Sequence, residues 1–279
     1  MSPAPDEHRS ALYASLLEAL PHDLWIRYDV DPGSLEHAAT DPGRAVAFVS
    51  HHAWRDVRWA TAFAADPHDA QHVAAAVRLL AGLADQSLAR NEAVSGVTVP
   101  RGAAVHLPAR LALGDSDEWD AWCTQVAPPA QSTPYGDTAV VTTLEAEDPR
   151  IAALLRAASP TASISAGDPR VVRWAAIEDP EHGLPDTGGL AALVAVTGQR
   201  SGSHHLNSVA THPERRGRRL ARLLCAEVTE ESLAAGVPAV SLGMYAENDA
   251  ARSVYAALGF TWLRGSTSGA LAPNGADTR

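Results

Sequence analysis

Four arginines and a glycine, Arg215-Arg216-Gly217-Arg218-Arg219, separate His212-Pro213 from a run of apolar residues, with Arg222 one turn further on. Leu220, Leu223, Leu224 and Val228 in that run recur at i, i+3, i+4 and i+8, the spacing of one helical face. A helix that starts here aims unpaired backbone N–H groups, backed by the positive end of its dipole, at the space before it. Cations at a helix start oppose the dipole, so an anion is expected to compensate them, and a pyrophosphate fits such a seat. The other reactive residue types are less organised. His51-His52 and His204-His205 are adjacent pairs on strand-like segments, where neighbours point to opposite faces, and no helical ligand spacing occurs; no metal is expected. The two cysteines, Cys123 and Cys225, show neither a pairing pattern nor metal spacing, which suits a reducing cytoplasm.

The elements that must hold this turn follow from local pattern. A helix is expected over about 8–20, ended by Pro21, then strands at Leu24–Val30, Ala45–His51 and Val57–Ala64. Asp66-Pro67 opens a long helix to about Ala89 with Val73, Val77, Leu80 and Leu83 inward; a strand at Ala93–Val99, a short helix at Ala103–Leu113 broken by Pro108 and a strand at Glu118–Gln125 follow. The stretch 127–137 is rich in Pro and other turn formers and reads as a linker. Beyond it come a strand at Ala139–Leu144, a helix capped by Asp148-Pro149, strands at Val171–Ile177, Leu190–Thr197 and His205–Thr211, and the basic turn with its helix. A strand at Ala239–Tyr245, a helix at Asn248–Leu258 and a strand at Phe260–Leu263 close the series.

With 46% hydrophobic and 20% charged residues the composition is that of a globular protein. A net charge of −11 argues against nucleic acid as a partner. No apolar run nears the ~20 residues that span a bilayer, so no membrane role is expected. The polar start Met1-Ser-Pro-Ala-Pro-Asp-Glu-His-Arg-Ser10 is not a signal peptide.

An offset of 146 residues lays Ala64-Ala-Asp-Pro67 on Ala210-Thr-His-Pro213, the first long helix on the basic helix, and Val94–Thr98 on Val240–Met244. The first copy has Ala70-Gln71-His72-Val73 opposite Arg216–Arg219, and Ala109 opposite Tyr255.

With those elements placed, residues from about 136 to 265 resemble the GNAT superfamily of acetyl-CoA-dependent N-acetyltransferases. The resemblance rests on Ser208-Val-Ala-Thr-His-Pro-Glu-Arg-Arg-Gly-Arg-Arg-Leu-Ala221 followed by Asn248-Asp-Ala-Ala-Arg-Ser-Val-Tyr-Ala-Ala-Leu-Gly-Phe260. The family's Q/R-x-x-G-x-G/A motif falls on Arg216-Gly217-Arg218-Arg219-Leu220-Ala221, with Arg219 in place of its central glycine; helical angles are expected for Arg219. The fold implied is α/β with a mixed sheet: a GNAT domain at 138–279 and a degenerate GNAT-like domain at 1–126, joined by 127–137. The resemblance implies that acetyl-CoA is the co-substrate. Val209, Ala210 and Thr211 would pair with its pantetheine arm and polarise the thioester. The N–H groups at Arg216, Gly217, Arg218, Arg219, Leu220, Ala221 and Arg222 would bind the diphosphate, and Asn248 would hydrogen-bond the cofactor.

Tyr255 would protonate the leaving thiolate, uphill by about 2 kcal/mol for ordinary values of ~10 and ~8.5, and His205 is the expected base. Thr161, Ser163 and Asp168 would face the acceptor, His204, Asn207 through water and Glu178 are the other candidates for the base, and Trp174 and Trp262 read as core. The expected activity is direct acetyl transfer to a small-molecule amine in a ternary complex. The alternatives are transfer to a protein amine and a non-catalytic acyl-CoA-binding or regulatory module.

Overall fold

The computed structural model describes residues 5–52, 56–131, 140–179 and 183–273. They contain six helices, α1 (Pro5–Ala19), α2 (Leu24–Asp29), α3 (Ala70–Ala89), α4 (Pro149–Ala158), α5 (Leu220–Ala234) and α6 (Asp249–Ala257). The strands are β1 (Leu35–Asp41), β2 (Ala45–His52), β3 (Val57–Ala64), β4 (Gly96–Pro100), β5 (Leu113–Thr124), β6 (Val141–Leu144), β7 (Val171–Glu178), β8 (Leu190–Gly198), β9 (His204–Thr211), β10 (Val240–Tyr245) and β11 (Thr261–Leu271). None of the described helices is long and apolar enough to cross a membrane.

The chain forms two compact units. The first takes residues up to Ala121, Met244–Glu247 and those from Leu263 on; the second takes Trp122–Gly243 and Asn248–Trp262. Neither is continuous in sequence. Of the expected linker 127–137, residues 132–137 lie outside the described residues, as does Ala139.

In the first unit β1, β2 and β3 run antiparallel in turn, β3 and β4 are parallel, and β4 pairs antiparallel with Ser266–Ala270 of β11. One face of this sheet packs Val49, Ala60 and Val97 under Val77, Leu80 and Leu83 of α3. The other packs Val46, Phe48 and Phe63 against Leu16, Leu20 and Ile26. Segment 24–30, expected as a strand, is a helix: Asp23 caps it by accepting from the Ile26 N–H (2.9 Å). Its buried residues, Ile26 and Val30, stand four apart, one helical turn. The segment 103–113, expected as a short helix broken by Pro108, forms two short 3₁₀ turns on either side of that proline.

In the second unit β6, β7, β8 and β9 run antiparallel in turn, and β9 and β10 are parallel. Ile151, Leu154 and Leu155 of α4 are buried as expected, against Trp174, Ala176, Leu193, Ala195 and Ala210 of the sheet. Trp174 is core; Trp262, expected beside it in the interior, is 41% exposed. In α5, Leu220, Leu224 and Val228 are buried, while Cys225 rather than Leu223 completes the inner face.

The two units repeat one plan. An offset of 146 residues carries β2, β3, α3 and β4 onto β8, β9, α5 and β10 to within four residues at each boundary. In both, an antiparallel pair precedes a parallel pair joined through the helix, the right length for a crossover connection.

Candidate functional site

Two features of the second unit meet at the basic turn. The parallel ladder between β9 and β10 covers only His204–Leu206 against Val240–Leu242. Beyond Leu206, the edge of β9 toward β10 has no ladder partner, although β9 is still paired with β8 on its other side. On the opposite edge of the same stretch the β8 register jumps from Ala195↔Asn207 to Leu193↔Ala210, so Ser208 and Val209 both oppose Val194. This is a β-bulge, and Ser208 holds a left-handed φ of 50° to make it. Val209, Ala210 and Thr211 therefore lie on a strand edge open to added pairing, with the bulge turning backbone groups out of the ladder.

That edge leads through His212 into α5, whose start is uncapped by any side chain. Arg219 is its N-cap, with φ 63° and ψ 16°, and Gly217 is left-handed as well (φ 77°). The helical angles expected for Arg219 are thus corrected: it sits in the conformation that suits the glycine of the motif, at a cost of roughly 1–2 kcal/mol for a residue with a Cβ. The N–H groups that open α5, at Leu220, Ala221 and Arg222, have no capping acceptor. The matching helix of the first unit shows the opposite. Asp69 caps α3, its Oδ1 accepting from the N–H groups of Gln71 (2.7 Å) and His72 (3.3 Å), and these bonds hold its carboxyl below the usual range. In the first unit the protein's own carboxylate occupies the helix start, and in the second no side chain among the described residues does.

The basic residues of the turn divide by role. Arg215 is only 8% exposed and grips Asp179, itself 1% exposed, through two bonds, Nε to Oδ1 (3.1 Å) and Nη2 to Oδ2 (2.9 Å). Asp179 Oδ2 also accepts from the Gly183 N–H (2.6 Å), and a Cβ on Gly183 would stand 2.9 Å from Arg215 Nη2. His212, buried, contacts Asp186 through Nε2 (3.0 Å) and accepts the Glu214 N–H at Nδ1 (3.2 Å). Both acidic partners lie between β7 and β8, so that connection bolts down the entry to the turn. Arg215 is structural. Arg216 and Arg219 are exposed, and Arg216 donates to the Ala158 carbonyl at the end of α4 (3.3 Å). Arg218 and Arg222 are half-buried.

Tyr255 is 6% exposed on α6, its ring 5.9 Å from that of Phe260. Burial, with the neighbouring Cys225, pushes its phenol well above the usual range, which moves it away from thiolate basicity rather than toward it. Cys225 is buried and its thiol is pushed up to about 12, and Cys123 is buried too, so neither is available as a nucleophile. Asn248, expected to meet a cofactor, caps α6 through its Oδ1 to the Ala251 N–H (3.0 Å).

His204 and His205 point apart, as alternation on β9 requires. His204 reaches Ser232 on α5 (2.9 Å), and burial lowers its pKa. His205 Nδ1 lies 2.9 Å from the Ser241 hydroxyl on β10, two residues before the point where the ladder opens at Asn207. The Asn207 amide donates to Thr197 Oγ1 (2.9 Å), extending this polar face onto β8. Glu178 is exposed and paired with Arg150 (2.9 Å). Asp168 is held by Arg170 (2.7 Å), which keeps its carboxyl below the usual range. Thr161 and Ser163 are exposed on the same loop. Among the described residues no group of three or more His, Cys, Asp or Glu is placed to hold a metal ion.

The first unit lacks the rest of this apparatus as well. β3 pairs with β2 without a break from Val57 to Ala64, so there is no bulge. Opposite Val209 stands Phe63, whose ring lies 3.8 Å beneath the Arg264 guanidinium, and Arg264 is ion-paired with Asp23.

Residues 146–260 match the model of the acetyltransferase (GNAT) family. A GCN5-related N-acetyltransferase from Sphaerobacter thermophilus aligns over 98% of this chain and 95% of its own, at 15% identity and a TM-score of 0.53. A GNAT-family acetyltransferase from Colwellia psychrerythraea aligns over 98% of both chains at 12% identity and a TM-score of 0.50. A tandem GNAT protein from the clavulanic acid biosynthesis pathway aligns over 98% of both chains at 16% identity and a TM-score of 0.45. No curated protein sequence matches the chain.

Proposed function

We propose that residues 146–260, which match the model of the acetyltransferase (GNAT) family, work as such a domain and that the second unit transfers an acetyl group from acetyl-CoA to a small-molecule amine. The carrying observation is the junction of the opened β9 edge and the uncapped start of α5. An extended arm adds to a strand edge, and a diphosphate sits on free N–H groups at a helix start. Charged hydrogen bonds there contribute roughly 1.5–3 kcal/mol each. Asp69, on the equivalent helix of the first unit, supports this reading: the same N–H geometry visibly favours an anion. The first unit is read as a degenerate copy and scaffold, so one acyl-CoA is expected per chain.

Acetyl-CoA would supply the activated acyl group and a thiolate leaving group. The chain's part is to bind the thioester along Val209–Thr211, with bulge N–H groups aimed where negative charge develops on the carbonyl oxygen. His205, steadied by Ser241, takes the proton the amine must lose. Tyr255 returns a proton to sulfur; its raised pKa opposes that transfer, so the bound state must bring the phenol back toward thiolate basicity. With both cysteines buried, transfer is direct.

The test is calorimetric titration with acetyl-CoA, then thiol release on incubation with a panel of alkyl amines. One site per chain and amine-dependent release are expected, with Tyr255→Phe cutting kcat by about 100-fold or more while acetyl-CoA affinity holds. Binding without release from any amine would favour a non-catalytic acyl-CoA-binding module. Absence of binding would refute the assignment.

A further inference from the structure

The segment between α4 and β7, residues 159–170, is tied to the bulge by a single side chain. Ser208 Oγ accepts from the Ile164 N–H (3.3 Å) and donates to the Ile164 carbonyl (3.0 Å). One hydroxyl thus satisfies both backbone groups of one residue, as a neighbouring strand would. Ile164 is 3% exposed, and its side chain is seated in the core with Leu154, Trp174 and Leu193. Its two sequence neighbours on the loop, Ser163 and Ser165, are exposed. Ser208 itself occupies a left-handed conformation at the residue that creates the bulge. The hydroxyl that grips the loop therefore rides on the peptide that shapes the opened edge of β9. A shift of that peptide must either carry Ile164 with it or break two hydrogen bonds in a mostly buried place, where an unpaired backbone group costs about 1–3 kcal/mol.

From this we infer that Ser208 is a positioning residue that couples the acyl-CoA edge to loop 159–170, so that seating the thioester orders the surface offered to the acceptor amine. The inference rests on the acyl-CoA reading of that edge. It places the coupling in the Ser208 hydroxyl, separately from the backbone of the bulge.

Hydrogen exchange on the full-length protein, with and without acetyl-CoA, reads the loop directly. In the native chain, saturating acetyl-CoA is expected to slow exchange of the amides at 162–167 by about tenfold. Ser208→Gly keeps the left-handed bulge, since glycine adopts that conformation freely, and removes only the hydroxyl. It should bind acetyl-CoA within about threefold of the native affinity, yet show less than about twofold slowing at the loop. Ser208→Asn, which tolerates the same backbone and can both donate and accept, should restore part of the slowing.

Equal slowing in native and Ser208→Gly chains would overturn the coupling, as would a native loop that ignores bound acetyl-CoA. Loss of acetyl-CoA binding in Ser208→Gly would also overturn it, because the hydroxyl would then belong to the acyl seat itself. A native chain that binds no acetyl-CoA would instead bring down the underlying functional reading.

Discussion

Replacing Asp179 with asparagine tests whether the entry to the basic turn is held as the structure indicates. Asp179 and Arg215 are 1% and 8% exposed and joined by two hydrogen bonds of 3.1 and 2.9 Å. Asp179→Asn keeps the shape, and one oxygen can still take the Gly183 N–H, but the buried Arg215 cation loses its two-bond carboxylate and keeps Glu214 only at 3.9 Å. Breaking one side of such a pair costs about 3–5 kcal/mol, far above the ~1 kcal/mol expected of a surface pair. For a protein of this size that corresponds to a fall in melting temperature of roughly 6–20 °C. The double variant Asp179→Asn/Arg215→Met exchanges the stranded cation for a flexible apolar chain of similar length. It should recover most of the loss, since buried pairs exchanged whole for apolar groups are often neutral. Chemical denaturation of all three proteins, followed by acetyl-CoA titration below the transition, separates stability from binding. A loss under about 1 kcal/mol in Asp179→Asn, or a double variant no better than the single, would refute the claim that this pair is a buried bolt.

Two further outcomes follow from local geometry. Arg219→Gly removes a Cβ from a left-handed N-cap, so the protein should gain about 1 kcal/mol in chemical denaturation while acetyl-CoA binding is kept; a destabilised variant would show that the arginine side chain has a structural role. Asp148 caps α4, and the Arg150 guanidinium beside it holds its carboxyl below the usual range. A depressed carboxyl lends stability above its unfolded value, near pH ~3.9, and that stability is lost as pH falls through the lower folded value. Asp148→Asn, which keeps the cap, should flatten that acid limb of a stability-versus-pH series; a curve parallel to the native one would exclude Asp148 as a contributor.

Periodic segments were legible in the sequence to within a few residues. α3 and α4 carry helical spacing because each buries one face, while β2 and β8 read as continuous apolar runs because they are buried on both faces. β1 escaped notice, since Leu35-Glu-His-Ala-Ala-Thr-Asp41 has few β-branched or aromatic residues and only Leu35 is fully buried. Leu24–Val30 misled because a short apolar run bears no decisive period, and Asp23 settled the matter as a cap. Within the site, the motif spacing placed the turn and its helix, but three details were beyond its reach. The bulge at Ser208 depends on a register jump against β8, which no local pattern encodes. Arg215 belongs to the same basic run as its neighbours, and only the fold brings Asp179, 36 residues earlier, against it. Arg219 is left-handed because the surrounding turn holds it there against its own preference.

The pairing of β11 with β4 bears on the order in which the polypeptide can assemble. Trp59 Nε1 donates to Thr98 Oγ1 (2.9 Å), and Thr98 Oγ1 meets Ser268 Oγ (2.7 Å) across 170 residues of sequence. A growing chain that has reached residue 100 holds β1 to β4 and α3 yet presents β4 as a bare edge, an invitation to pair with other chains. That edge is sealed only when residues 266–270 have been made, after the whole of 146–260 has had time to fold. Closing so long a loop adds little to the equilibrium cost but slows the search, so the earliest-made sheet is among the last to be completed.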